Sequence, residues 1–251
     1  MDRLFLAGLV RPLGTWAAGR SSDGLVVLYD FRLAKGSIVK DRSGVGKPLD
    51  LKIENPKNVR RTKGTLEVLG KTLIRSDKPA AKVFNAVRRS GEITIEAWVR
   101  PANAKQDGPA RMVTLSGGSS ERNFTLGQEG DKVDVRLRTT KTSGNGIPSL
   151  NSPGRSLAPR LTHIVYTRNR GGRARLFLNG KQQAEKRVPG AMANWNGKYR
   201  LALANELSSE RPWLGTFHLV AIYSRDLSVG EVAQHFKAGV NARSTGAQLA
   251  T

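Results

Sequence analysis

Cysteine is absent from the 251 residues, which excludes a disulfide framework, a cysteine-ligated zinc, an iron–sulfur cluster and a thiol nucleophile. Negative charge is scarce: 20 Asp and Glu stand against 42 Lys and Arg, a formal net charge of +22. No apolar run approaches the roughly 18–20 residues that a membrane-spanning helix needs. Aromatics amount to 6%, and most sit in core-like strand positions, so the stacking platforms that single-stranded nucleic acid uses are missing. Neither a helix-turn-helix nor a zinc finger nor an RNP-type run occurs, so no sequence-specific reading of nucleic acid is expected.

Catalytic signatures are equally thin. The three histidines, His163, His218 and His235, have no metal-ligand spacing and are expected in structural positions. There is no Gly-x-Ser-x-Gly nucleophile elbow. Residues 64–72 approach a P-loop but hold five residues between the glycines where four are needed, and those five read as a strand. Glu92 and Glu96 would face the same side of one strand, as paired glycosidase carboxylates could. With Thr94 between them and no further acid nearby, ordinary strand use is the better reading, and no enzyme is expected.

The excess charge is what remains. It would attract polyanions: nucleic acid without sequence preference, acidic or sulfated polysaccharide, anionic lipid, or an acidic protein surface. A solvated basic surface with no ligand is the competing reading. Basic residues are densest at residues 57–63, 88–89 and 168–175.

Short apolar runs punctuated by Gly, Pro, Asn and Asp predict strands at residues 24–31, 92–99, 112–115, 133–137, 161–167, 173–178, 199–204 and 216–223. One helix is predicted, opened by a Ser228–Glu231 capping box and stopped at Gly239. The pattern describes an all-β antiparallel sandwich at residues 23–240. It is flanked by a weakly signal-like segment at 1–22 and a loose tail at 241–251. An export signal, a mis-set start and a fragment end all fit the first segment.

Gly171-Gly172 between two strand-like runs predicts a two-residue hairpin turn. In that register Arg170 opposes Arg173, and Arg168 opposes Arg175. Four arginines then share one face, and like charges set directly opposite either splay into water or attract an anion.

Several segments together resemble bacterial laminin-G-like domains of the concanavalin A-like lectin/glucanase superfamily. The opening strand, residues 25–31 (LVVLYDF), is followed by a first loop at 40–44. A central strand, 92–101 (EITIEAWVRP), comes next, then paired strands at 163–168 and 176–181, and a last strand entering the closing helix at 215–228. The resemblance implies a jelly-roll of two curved sheets, with one short C-terminal helix. It also implies a non-catalytic module outside the cytoplasm that binds glycans or proteins. Relatives often bind calcium with an acid in the first loop and another in the last strand. Asp41 matches the first position and His218 replaces the second, which puts calcium in doubt. Relatives also bind ligands near the loop that holds Asn205, Glu206, Arg211 and Trp213, although Trp213 could plug the core and Glu206 could pair with Arg211.

The expected function is therefore recognition of an acidic glycan or acidic partner surface. The alternatives are an interaction domain of a larger secreted protein and, last, a hydrolase.

Overall fold

The computed structural model of the chain describes residues 19–241 and the backbone of Ser244–Thr245. Residues 1–18, which hold most of the signal-like segment, and the remainder of the tail lie outside the described residues.

Two antiparallel sheets carry the fold, as the strand pattern predicts. Their centres are nine-residue strands. Ile93–Pro101 and Gly215–Tyr223 lie side by side in one sheet, and Ala110–Gly118 pairs with Glu121–Glu129 in the other. The alternation of side chains assigns each face. In the first sheet Ile95, Ala97, Ile164, Tyr166, Leu176 and Ile222 point into the main core, where Val113, Leu115, Leu126, Val135 and Leu201 of the second sheet meet them. The opposite side of the first sheet presents Trp98, Val165, Phe177, Leu219 and Tyr223, a second apolar cluster that contains Val232 of the closing helix.

That helix, α2 (Val229–Ala238), forms where it was predicted, with both halves of the Ser228–Glu231 capping box made and Gly239 as its C-cap. A second helix, α1 (Ala81–Ser90), was not foreseen. It has no side-chain N-cap, and only Val83 and Val87 are buried, so its sequence shows little beyond one apolar spacing. Its end is better marked, by Arg88 and Arg89 in the last turn and Gly91 in the left-handed conformation.

Residues 20 and 21 also join the fold. Arg20–Ser21 pairs in parallel with Ser244–Thr245, so the structure carries the domain into both segments that read as terminal tails.

Candidate functional site

The hairpin forms one residue out of the predicted register. Thr167 opposes Arg175 and Arg168 opposes Ala174, because the turn closes from Asn169 to Arg173, with Gly172 at φ 91°. A one-residue slip turns every side chain to the other face, so Arg168 and Arg175 are separated by the sheet. Arg168 is buried among backbone oxygens, donating to the carbonyls of Gly91 (2.8 Å), Val188 (3.1 Å) and Gly190. Burial lowers its pKa. Arg175 points to the α2 side, where it pairs with Asp226 at 2.8 Å and donates to the Leu227 carbonyl. Arg170 donates to the carbonyls of Arg89 and Ser90 and so caps the C-terminus of α1, as a cation there should. The predicted face of four arginines therefore does not exist.

A different cationic surface replaces it. A cleft of about 550 Å³ opens between the end of α1 and the hairpin, lined by Arg88, Arg168, Arg170 and Arg187 with the backbone of residues 189–191, and no carboxylate lines it. Arg187 also borders a second cleft with Arg173, Lys186 and one carboxylate, that of Glu185. Arg187 lies directly opposite Arg173 across the strand pair, and both are exposed. The opposed like charges expected at Arg170–Arg173 thus occur at Arg173–Arg187. Arg88 stood out in sequence only as half of the basic pair 88–89, with no site attached to it, and Arg187 was not foreseen. Arg88 depends on a helix that was missed, and Arg187 on the edge strand Lys181–Arg187, whose run of polar residues reads as loop.

At another place on the sandwich Asn205, Glu206 and Arg211 do come together, but not as a rim pair. The Asn205 side-chain oxygen accepts from the backbone N–H of Glu206 and of Arg211, both at 2.9 Å. Glu206 does not pair with Arg211. Its carboxylate is fully buried, accepting from Arg111 Nε at 2.9 Å and from the Ser116 hydroxyl, with Arg122 Nη1 at 3.9 Å. Register irregularities beside Arg122 and between Leu126 and Gly127 break the strand pair that carries both arginines. Such bulges re-aim side chains. Trp213 belongs to the core: it is fully buried, packed on Phe217, and its indole N–H donates to Gln128 at 2.9 Å. As a ligand contact it is withdrawn.

Under α2 lies a charged network that sequence reading passed over as ordinary strand. Glu96 is fully buried and accepts from Arg20, from His163 Nε2 at 2.9 Å and from His235 Nδ1 at 3.1 Å. His235 Nε2 accepts the backbone N–H of Ser21, which fixes the proton on Nδ1. Burial pushes the Glu96 carboxyl up, but Arg20 and the two imidazoles outweigh it and hold it well below the usual range. Burial also lowers the pKa of His163 more than Glu96 raises it. Trp98 stacks on His163, with ring centroids 4.6 Å apart, and Phe236 of α2 stacks on Trp98 at 5.8 Å. Glu92 accepts from the backbone N–H of Arg170 and Asp226, so the two carboxylates of this strand do not share an open cleft. His163 and His235 are both fully buried in this network.

The residues at the calcium position do not fit the ion. Both Asp41 oxygens are engaged: one by the N–H of Leu28 and Ser43, the other by the N–H of Leu49 and the Lys82 ammonium at 2.7 Å. Lys82 Nζ also donates to the Val45 carbonyl at 2.6 Å, so an ammonium stands where a cation's oxygens would converge. Burial opposes ionisation of Asp41, yet the Lys82 ammonium and the backbone N–H groups hold its pKa low. His218 lies beside Arg100. Among the described residues no group of three or more His, Asp or Glu could hold a metal. Millimolar calcium is expected to leave the urea midpoint unchanged. Lys82→Met, which leaves a buried carboxylate short of its cation, is expected to cost about 1–3 kcal/mol by the same assay.

Comparison with known proteins places this geometry. Residues 76–233 match a laminin-G family described as the concanavalin A-like lectin/glucanases superfamily. A Trypanosoma rangeli sialidase, solved with 2,3-difluoro-KDN, superposes with a TM-score of 0.62 at 16% identity, over 86% of this chain and 32% of that one. The binding domain of botulinum neurotoxin DC, solved with rat synaptotagmin II, gives 0.62 at 13% identity over 86% and 52%. A botulinum neurotoxin type C structure, whose description makes cell entry dependent on two ganglioside molecules, gives 0.63 at 13% over the same shares. The chain thus spans about a third to a half of the length of these proteins. No curated protein matches it.

Proposed function

We propose, since the chain belongs to the laminin-G branch of the concanavalin A-like lectin/glucanases superfamily, that it is a non-catalytic binding module for acidic glycans acting outside the cytoplasm. The observation that carries this reading is the cleft between α1 and the hairpin, lined by four arginines without a carboxylate among them, of which Arg88 and Arg187 are exposed while Arg168 and Arg170 donate to backbone carbonyls. Guanidinium groups favour paired hydrogen bonds to carboxylate and, by the same geometry, to sulfate. The exposed Arg173–Arg187 opposition extends the positive field beside it, and a polyanion would relieve the repulsion. No aromatic residue lines the cleft, so it is suited to charge along a polysaccharide rather than to stacking on a neutral sugar. The sialidase and neurotoxin domains show the same fold beside sialic-acid chemistry and gangliosides, which supports an acidic glycan as the ligand class.

The test is binding of heparin, polygalacturonate, a neutral glucan and duplex DNA, each at low and near-physiological salt. Selective binding to the acidic glycans is expected, weakening with salt as screened charges do. The double change Arg88→Ser and Arg187→Ser is expected to weaken it about tenfold or more, in line with the loss of two charge-assisted contacts. Both side chains are exposed, so folding is not at stake. Equal binding to every polyanion, or affinity untouched by the double change, would overturn the assignment and leave a basic interaction domain.

A further inference from the structure

The Glu206 cluster is out of charge balance in a place where balance matters. Arg111 and Arg122 are both fully buried, and among the described residues Glu206 is the one carboxylate paired with them. The nearby Asp134 is committed to Arg136 at 2.9 Å. Burial, and next the charge of Arg111, lower the Arg122 pKa to about 10. Two buried guanidinium groups therefore share one carboxylate, and an uncompensated buried charge costs several kcal/mol.

Unsatisfied donors point the same way. Arg111 Nη2, Arg122 Nε, Arg211 Nε and Asn205 Nδ2 are all buried without a partner. All four are donors, and they belong to residues already joined: Arg111 donates its backbone N–H to the Arg211 carbonyl at 3.0 Å, and Arg211 donates its own to Asn205. Buried polar groups in folded proteins are nearly always satisfied. A water would supply donors as well as acceptors. A small anion supplies acceptors alone and the missing negative charge with them.

We propose that the Arg111–Arg122–Glu206 cluster is an internal binding site for a small monovalent anion of chloride or formate size, held by Arg111 and Arg122 beside the Glu206 carboxylate. Complete burial of both arginines excludes a polysaccharide chain here. The site is separate from the α1–hairpin cleft: none of its residues lines that opening, and it stands or falls independently of the glycan reading.

The experiment is thermal unfolding of the full chain at constant ionic strength, with sodium gluconate replaced stepwise by chloride or by formate. A saturable rise in midpoint is expected with one or both. Arg122→Met should abolish the anion dependence whatever its own midpoint. Glu206→Gln removes the one negative charge that Arg111 and Arg122 already face and should lower the half-saturating anion concentration about tenfold or more, because two negative charges sharing one pair of guanidinium groups repel strongly in a protein interior. A purely structural Glu206 would give destabilisation with no gain in anion response. Should Arg122→Met fail to fold, line broadening in chloride NMR with the unaltered protein and with Glu206→Gln reads the same site. Midpoints that are identical in every anion, a response that survives Arg122→Met, or no broadening in either protein would each overturn the proposal.

Discussion

Glu96→Gln is expected to cost about 3–5 kcal/mol of stability at neutral pH, the usual result of removing one partner from a buried ion pair. The substitution removes the charge of the buried carboxylate that accepts from Arg20 and offers an amide where two imidazole N–H groups now donate. Urea unfolding measures it, and a loss below about 1 kcal/mol, the ceiling for surface pairs, would show that the network is not closed in solution. The same network fixes the response to acid. The His163 pKa is depressed in the fold, so the ring stays neutral there, while the unfolded chain gains a proton below its ordinary 6.5. Stability therefore begins to fall as pH drops through that value. Glu96 is also depressed, so its contribution is complete above the ordinary 4.5 and is lost as pH falls toward the folded value. Both slopes have the same sign: weakening from about 6.5 and steeper weakening below about 4.5. His163→Phe should reduce the upper part of the profile, His218 keeping a share because burial lowers its pKa too, and leave the lower; an unfolding midpoint flat from pH 7 to 5 in the unaltered protein would contradict this account.

Arg168→Met is the second large effect, at about 3 kcal/mol or more. Three carbonyls, those of Gly91, Val188 and Gly190, take hydrogen bonds from this one guanidinium, and each buried group left unsatisfied costs about 1–3 kcal/mol. Glycan affinity measured on the fraction that stays folded should fall less than in the Arg88 and Arg187 double change, because Arg168 already has its partners. The opposite order, intact stability with lost affinity, would make Arg168 a ligand contact after all.

The contrast between these arginines shows what could be read from sequence. Strands such as Val133–Val135–Leu137 and the capped helix α2 were legible because alternation and capping are local. The hairpin was legible as a hairpin, yet Asn169 moved its turn by one residue: its side chain accepts the backbone N–H of Arg173 at 3.0 Å. A single hydrogen bond of that kind decides which face four arginines take, and no periodicity reports it. Asn205, Glu206 and Arg211 do lie together, but the partners of Glu206, Arg111 and Arg122, are more than eighty residues away and reach it from a strand pair whose register is broken. Glu96 looked ordinary because its three cationic and imidazole neighbours come from residues 20, 163 and 235, which only the folded sheet assembles.

The two chain ends described here run alongside each other in the same direction, Arg20 opposite Ser244 and Ser21 opposite Thr245. In a parallel pair the preceding chain leaves from one end of the ladder and the following chain from the other. Tension between the termini would thus load the ladder in shear, straining its bonds together instead of peeling them one by one. Arg20 carries its ion pair to Glu96 in that same path, so the resistance of the domain to being pulled open starts from a buried charge.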